Sequence, residues 1–264
     1  MDRRRQSRHR AARARVALVL LLALGLVAGC ASAPPRRPLP AEVAAAAQAI
    51  ELRWQAFGDL RSLVDIRIKR GSRTQQLSGV LLLKSPTSLR FEALSPLGPP
   101  ILVVGSNPDG VTIWEVLQGR AFLLSSSPDA NRRWLGLALG AEDLVALLSG
   151  NVRPMPEPVS GERRPPDEIG PSIVLTGRDG VQRTWLDPTT SQPRQVEWTG
   201  GKNPARVTWS GGGPDGPPTG LTLATPNGDL TVSIRYRNPE LDSGFDPELL
   251  TVKLPQGVKV QDFR

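Results

Sequence analysis

Histidine and cysteine are nearly absent from this 264-residue chain, which contains one of each, His9 and Cys30. Residues 31–264 therefore have no partners for a Ser-His-Asp or Cys-His triad, and no His/Cys set for a zinc site. The sequence also lacks a Walker loop and a GxSxG nucleophile motif. A single cysteine cannot form a disulfide within the chain. We therefore expect no enzymatic activity, no metal and no dissociable cofactor, and we expect packing to supply the stability.

The N-terminal segment is basic and runs into one long hydrophobic stretch, Val16–Gly29, of 14 residues. As a helix this stretch spans about 21 Å, less than the ~30 Å hydrocarbon core of a bilayer. A basic region followed by a short apolar run is typical of a secretory signal peptide. Val27-Ala28-Gly29-Cys30 further matches a bacterial lipobox, which predicts cleavage before Cys30 and covalent lipid on its thiol. The alternative is an ordinary signal peptide with a chance cysteine.

Charge is concentrated in the predicted leader. Residues 1–29 contain seven arginines and one aspartate, so of the formal net charge of +8 only +2 stays with residues 30–264. This leaves no basic excess that would suggest nucleic-acid binding. Two or more acyl chains on Cys30 would hold the protein stably on a membrane. Ala31, rather than aspartate, follows Cys30 and favours the periplasmic face of the outer membrane.

The pattern predicts three parts: a signal peptide over 1–29, an acylated cysteine with a proline-rich tether over 30–40, and one domain over 41–264. The domain begins with an amphipathic helix, whose apolar face carries Val43, Ala47, Ile50, Trp54 and Phe57. Alternating apolar and polar residues then predict about eleven short strands. A helical insert over 131–150 interrupts them, with Asn131 as its N-cap and Gly150 as its stop. Residues 152–171 are predicted to be a mobile loop.

Four segments of the chain resemble the outer-membrane lipoprotein receptor LolB and related lipoprotein-sorting proteins. They are LRFEALSPLGPPILVV, DGVTIWEVLQGRAFLL, WLGLALGAEDLVALLSG and LPQGVKVQDF. The resemblance implies an α+β fold that is mainly β, an unclosed antiparallel barrel with an N-terminal helix and a helical lid over an apolar cavity. It further implies a monomer that takes acylated lipoproteins from a periplasmic LolA-like carrier and inserts them among outer-membrane lipids.

The resemblance also assigns candidate site residues. The family's membrane-delivery loop corresponds to the turn at Pro96, Leu97 and Gly98, with Leu97 as its apolar residue, although two following prolines make this turn short. Strand residues placed to line an acyl cavity are Ile66, Ile68, Leu81, Leu83, Phe91, Val103 and Trp114. Leu144 and Leu148 would lie on the lid.

Two alternatives stay open from the sequence. Each proposed lining residue could simply be a core residue, and Leu97 could fold back into the core beside its turn. A filled core would favour a second function, that of an outer-membrane-tethered scaffolding or assembly lipoprotein that binds another envelope protein.

Overall fold

The computed structural model describes residues 38–135, 139–201, 204–213 and 216–264, which form one large sheet and three α-helices. The helices are α1 (Ala41–Ala56), α2 (Pro128–Leu135) and α3 (Ala141–Leu148). The strands are β1 (Asp59–Arg70), β2 (Arg73–Lys84), β3 (Ser88–Leu94), β4 (Pro100–Asn107), β5 (Gly110–Glu115), β6 (Arg120–Leu124), β7 (Ser160–Arg164), β8 (Ser172–Thr176), β9 (Val181–Leu186), β10 (Pro193–Thr199), β11 (Ala205–Ser210), β12 (Gly220–Ala224), β13 (Leu230–Leu241) and β14 (Lys259–Phe263).

The strands lie in the order β14-β6-β5-β4-β3-β2-β1-β13-β12-β11-β10-β9-β8-β7. All neighbours are antiparallel except β14, which pairs in parallel with β6. The two long strands β1 and β13 pair with each other and so join the two halves of the sheet. Ile66 lies opposite Ile234 near the centre of this pairing. The fold class is confirmed as a large unclosed antiparallel sheet with a few helices. It has fourteen strands in place of about eleven.

One face of the sheet, the inner face, carries the main hydrophobic core. β11 shows the pattern most clearly, since buried and exposed residues alternate along its whole length. Helices α1 and α3 contribute to the same core. The predicted apolar face of α1 is confirmed: Val43, Ile50, Trp54 and Phe57 are buried, and Ala47 packs partly buried against them.

The opposite, outer face of the sheet is partly covered by the segment that leads from β13 to β14. Its path begins where the buried carboxylate of Asp59 accepts hydrogen bonds from the Ser243 and Gly244 backbone N–H groups. Further on, the Arg90 guanidinium donates to the Thr251 carbonyl. The Val252 side chain lies so close to Gly105 that a Cβ there would be 2.5 Å away. The segment then reaches β6, where the Lys259 N–H donates to the Gly119 carbonyl.

Two local predictions differ from the structure. The helical insert begins at Pro128 rather than after Asn131, because the Ser127 hydroxyl accepts from the Ala130 N–H and caps α2. Asn131 instead lies inside α2 and donates its side-chain amide to the Leu139 carbonyl. Gly150 follows α3 with φ 83°, as its predicted role as the stop requires. The loop predicted over 152–171 contains β7, which forms one edge of the sheet.

The predicted signal peptide, the lipobox residues Val27, Ala28 and Gly29, and Cys30 lie outside the described residues. Within the described ranges, each helix is too short or too polar to cross a bilayer.

Candidate functional site

Helix α3 lies across the inner face of the sheet. Its Val145, Ala146 and Leu147 are buried in the main core, and Leu144 and Leu148 pack half-buried against it. The helix contacts β2 and β3 on one side of β1 and receives hydrogen bonds from β11 and β13 on the other. An eight-residue helix is too short to be stable by itself, so its position depends on these contacts.

The C-terminal end of α3 is held by two buried aromatic side chains of the sheet. The Trp209 indole N–H donates to the Leu147 carbonyl at 2.9 Å, and the Tyr236 hydroxyl donates to the Leu148 carbonyl at 2.8 Å. The last carbonyls of a helix lack a partner within the helix, and the Tyr236 hydroxyl supplies one for the Leu148 carbonyl. The Trp209 indole adds a second bond to the Leu147 carbonyl, which also accepts from the Gly150 N–H. Burial raises the pKa of Tyr236, which keeps its hydroxyl protonated as a donor. This end of the helix is therefore firmly attached.

The N-terminal end of α3 is held by ion pairs instead. Arg153 contacts Asp143 at 3.0 Å and Glu142 at 3.1 Å, and all three side chains are about one-third exposed. Partly exposed ion pairs contribute little, at most about 1 kcal/mol each. Within α3 the two ends are thus attached differently: buried hydrogen bonds from the sheet hold the C-terminal end, and solvated charges hold the N-terminal end. The buried bond from Asn131 to the Leu139 carbonyl lies just before the helix. Opening the helix from its N-terminal end is the less costly movement.

Arg153 belongs to a segment that is itself tied to the inner face. Gln182 of β9 is 2% exposed, and its amide donates to the Arg153 carbonyl at 2.8 Å and accepts from the Met155 N–H at 2.6 Å. A buried amide whose donor and acceptor are both used fixes the backbone it contacts. Arg153 therefore stays near α3 through Gln182, independently of its own ion pairs.

A cleft of about 880 Å³ opens beside this weakly held end of α3. Its apolar lining includes Leu139, Leu147, Met155 and Trp198, which belong to or pack against the main core. Asp143 and Arg153 contribute charged groups to its wall, and the glycine-rich turns after β8 and β10 complete it. The cleft thus brings apolar side chains of the core next to α3 into contact with solvent.

The structure separates the predicted lining residues by face. Leu81, Leu83 and Phe91 are buried in the main core, and Ile66, Ile68, Leu144 and Leu148 are half-buried against it. Val103 of β4 pairs with Glu92 of β3 on one side and with Trp114 of β5 on the other, so these side chains share one face of the sheet. The next pair along the strands, Phe91 and Val104, belongs to the main core on the inner face. Side chains alternate between faces along a strand, so Val103 and Trp114 lie on the outer face. Their assignment to an inner cavity is wrong.

Leu97 lies at the tip of the β3–β4 hairpin and is 93% exposed. The turn is closed by hydrogen bonds from the Ser95 N–H to the Pro99 carbonyl and from the Gly98 N–H to the Ser95 carbonyl. Gly98 adopts φ 103°, a conformation that side chains with a Cβ rarely adopt. The turn is therefore fixed in a shape that presents the leucine to solvent, and the alternative of a leucine folded back into the core is wrong.

Three residues of this site, Arg153, Met155 and Gln182, were not singled out in the sequence, and neither was Leu117, an exposed residue of the turn between β5 and β6. Gln182 had a recognisable signal, since it occupies an inward position of the alternating strand VQRTWL. Leu117 stands immediately before the polar-glycine pair Gln118-Gly119, a turn signal that places it at a strand end. No local sequence pattern indicates that Arg153 and Met155 belong to the site, because their positions depend on the contact of their backbone with Gln182 of β9.

Structural comparison identifies solved structures with a similar architecture. An outer-membrane lipoprotein-sorting protein domain from Vibrio parahaemolyticus superposes with a TM-score of 0.55 at 13% sequence identity, over 80% of this chain and 95% of that one. A LolA superfamily protein from Nitrosomonas europaea superposes with a TM-score of 0.52 at 13% identity, over 78% and 97%. The chain has the LolA/LolB fold. No protein-family model matches the sequence, and no curated protein matches it significantly.

The site has three parts: the apolar inner face of the sheet, helix α3 and the β3–β4 hairpin. A curved sheet carries its apolar residues inward, α3 covers them, and the β3–β4 hairpin projects from one end. In this structure Val145, Ala146 and Leu147 of α3 are buried in the main core, so a ligand between helix and sheet would have to displace part of α3. The arrangement can thus bind a long apolar group only by exchanging one set of apolar contacts for another.

Proposed function

We propose that the chain is a lipoprotein of the bacterial envelope that binds the acyl chains of other lipoproteins under α3 and inserts them into the outer membrane, as LolB-like receptors do. The observation that carries the proposal is the combination of a solvent-facing leucine at a hairpin tip, Leu97, with apolar residues covered by a helix whose N-terminal end is held by solvated ion pairs. Neither an enzyme nor a scaffold would need both features.

The proposed route begins at the cleft beside Arg153. An acyl chain entering there meets Leu139, Met155 and Trp198 first and then the residues that α3 covers. Each methylene removed from water contributes about 0.8 kcal/mol, and the displaced contacts of α3 offset part of this gain. Binding is thereby kept weaker than a fully open cavity would allow. Release into a bilayer then needs no energy source, and the proposed function is non-enzymatic and requires no cofactor beyond the lipid on Cys30.

The proposed partners follow from this route. A periplasmic LolA-like carrier would deliver the acylated cargo, and the outer membrane would receive it. The lipid on Cys30 would keep the protein at that membrane on its periplasmic side, as a monomer.

The proposal is tested by fluorescent fatty-acid displacement on residues 30–264 carrying Cys30→Ser, exported behind a cleavable leader. We expect saturable binding that an acylated lipopeptide displaces and its unacylated form does not. Arg153→Gln should strengthen binding two- to tenfold, because removing weak ion pairs makes α3 easier to displace. The matched control is Arg206→Gln, which removes a comparable ion pair, that with Glu197, on the outer face of the sheet. Absence of saturable binding would refute the acyl-carrier function.

The burial of α3 residues in the main core supports a second candidate, the scaffolding lipoprotein. An exposed edge strand, β14, would suit such a protein, since an unpaired edge can accept a strand from a partner. This candidate predicts no fatty-acid binding at any concentration and no effect of Arg153→Gln.

A further inference from the structure

Leu97 is not alone at its end of the sheet. Leu117 is 81% exposed and lies in the one-turn 3-10 helix Val116–Gln118, between β5 and β6. The β3–β4 turn and this turn lie at the same end of the sheet, on either side of the first residues of β4. The pairing of Leu102 in β4 with Glu115 in β5 fixes this arrangement. Two solvent-facing leucines thus stand on adjacent hairpins of one continuous meander.

The turn that carries Leu117 is also fixed in shape. Gly119 adopts the left-handed conformation and donates its N–H to the Val116 carbonyl, and its carbonyl accepts from the Lys259 N–H at the start of β14. Because the turn is held on both sides, Leu117 cannot fold back onto the sheet without breaking these bonds. Exposed apolar residues scattered singly are normal on proteins, but two rigid leucine tips side by side form a local apolar contact surface.

The same end of the sheet is basic. The β1–β2 hairpin turns there and carries the exposed cations Lys69, Arg70 and Arg73 next to its tip. The nearby acidic groups are fewer. Glu115 is ion-paired with Arg120. Asp229 lies in the turn between β12 and β13, and its backbone carbonyl accepts from the Gly71 N–H. Lysines and arginines near a bilayer are attracted to anionic headgroups, and this attraction weakens as salt rises.

We propose that Leu97, Leu117 and the β1–β2 tip form a docking edge for anionic phospholipid bilayers, with Leu117 as a second membrane anchor. The two leucines would enter the interface while the three cations contact headgroups beside them. The inference shares Leu97 with the proposed function but does not require an acyl site under α3. A docking edge accounts for the exposed leucine in the turn of each hairpin, β3–β4 and β5–β6, and for the cations at the same end of the sheet.

The test is vesicle co-sedimentation of residues 30–264 with Cys30→Ser, using phosphatidylcholine vesicles with and without phosphatidylglycerol. Leu117→Glu should weaken binding about tenfold, since it replaces the apolar side chain proposed to enter the bilayer by a charged one. The control is Leu52→Glu. Leu52 is 56% exposed, but it lies near the C-terminal end of α1, at the opposite end of the sheet from the two leucine tips. Lys69→Gln/Arg70→Gln/Arg73→Gln should remove the preference for phosphatidylglycerol and most of the salt dependence.

The outcomes separate the possibilities. Thermal unfolding and fatty-acid displacement of Leu117→Glu should match the parent chain, and Leu117→Asn serves as a second variant if the glutamate disturbs folding. Vesicle binding that is unchanged in Leu117→Glu, or equally reduced in Leu52→Glu, would overturn the docking edge. So would vesicle binding absent from the parent chain, which would leave the leucine tips as contacts for a protein. Loss of fatty-acid binding alone would refute the acyl site and leave the docking edge standing.

Discussion

Leu97→Glu is expected to leave the melting temperature unchanged and to reduce delivery of a test lipoprotein into vesicles at least tenfold. The side chain contacts almost nothing in the folded chain, being 93% exposed, so its replacement costs little stability. A carboxylate at the tip cannot enter the hydrocarbon boundary without a large desolvation cost, so the step that brings cargo to the bilayer should slow. The measurement is transfer of a fluorescently labelled lipoprotein to sedimenting vesicles.

Three controls interpret the result. Leu97→Met keeps an apolar tip and should retain delivery. Fatty-acid displacement by Leu97→Glu should equal that of the parent chain, because the hairpin tip lies outside the core under α3. A large fall in melting temperature would show that Leu97 contributes to folding, and undiminished delivery would show that the tip has no part in insertion.

Gly79→Ala is expected to have the largest effect on stability, lowering the free energy of unfolding by about 3 kcal/mol. Gly79 lies in the middle of β2, and a Cβ there would stand 1.9 Å from the Glu92 carbonyl oxygen of β3. That neighbour is backbone within a paired strand, so β2 and β3 must separate locally. Urea unfolding followed by tryptophan fluorescence measures the change, with the slope indicating whether the folded state stays compact.

The matched control for this prediction is Gly213→Ala. Gly213 lies in the loop after β11, and among the described residues beyond its chain neighbours a Cβ there would meet no atom within 4 Å. We expect the free energy of unfolding to change by less than about 1 kcal/mol or to rise slightly, since alanine restricts the unfolded chain. Equal stability of the two alanine variants would contradict the close approach of β2 and β3.

The apolar face of α1 and the order of most strands followed from the sequence because their periodicities are long and regular. β7 escaped prediction since its sequence, SGERR, has no apolar residue. Its inward position is Gly161, where Leu39 and Val43 of the N-terminal segment fill the space that a side chain would take. Such a strand is specified by pairing with β8, which no local pattern reveals.

The faces of β4 were misassigned for a related reason. Its sequence, PILVVGSN, is apolar at successive positions, so alternation does not distinguish inner from outer. Val103 is buried because the segment after β13 crosses the outer face, a contact between parts of the chain far apart in sequence. Leu97 shows the opposite case: its residue type and turn were recognised, but only the closed geometry of the turn decided that it faces solvent.

The central claim, that acyl chains bind under α3, is tested most directly by quenching of tryptophan fluorescence with a fatty acid brominated along its chain. Trp198 and Trp209 lie on the inner face, whereas Trp185 lies on the outer face, where its indole N–H donates to Asp167. We predict saturable quenching that Trp198→Phe strongly diminishes and Trp185→Phe leaves intact. Quenching that is unaffected by Trp198→Phe, or no saturable quenching in the parent chain, would contradict the claim.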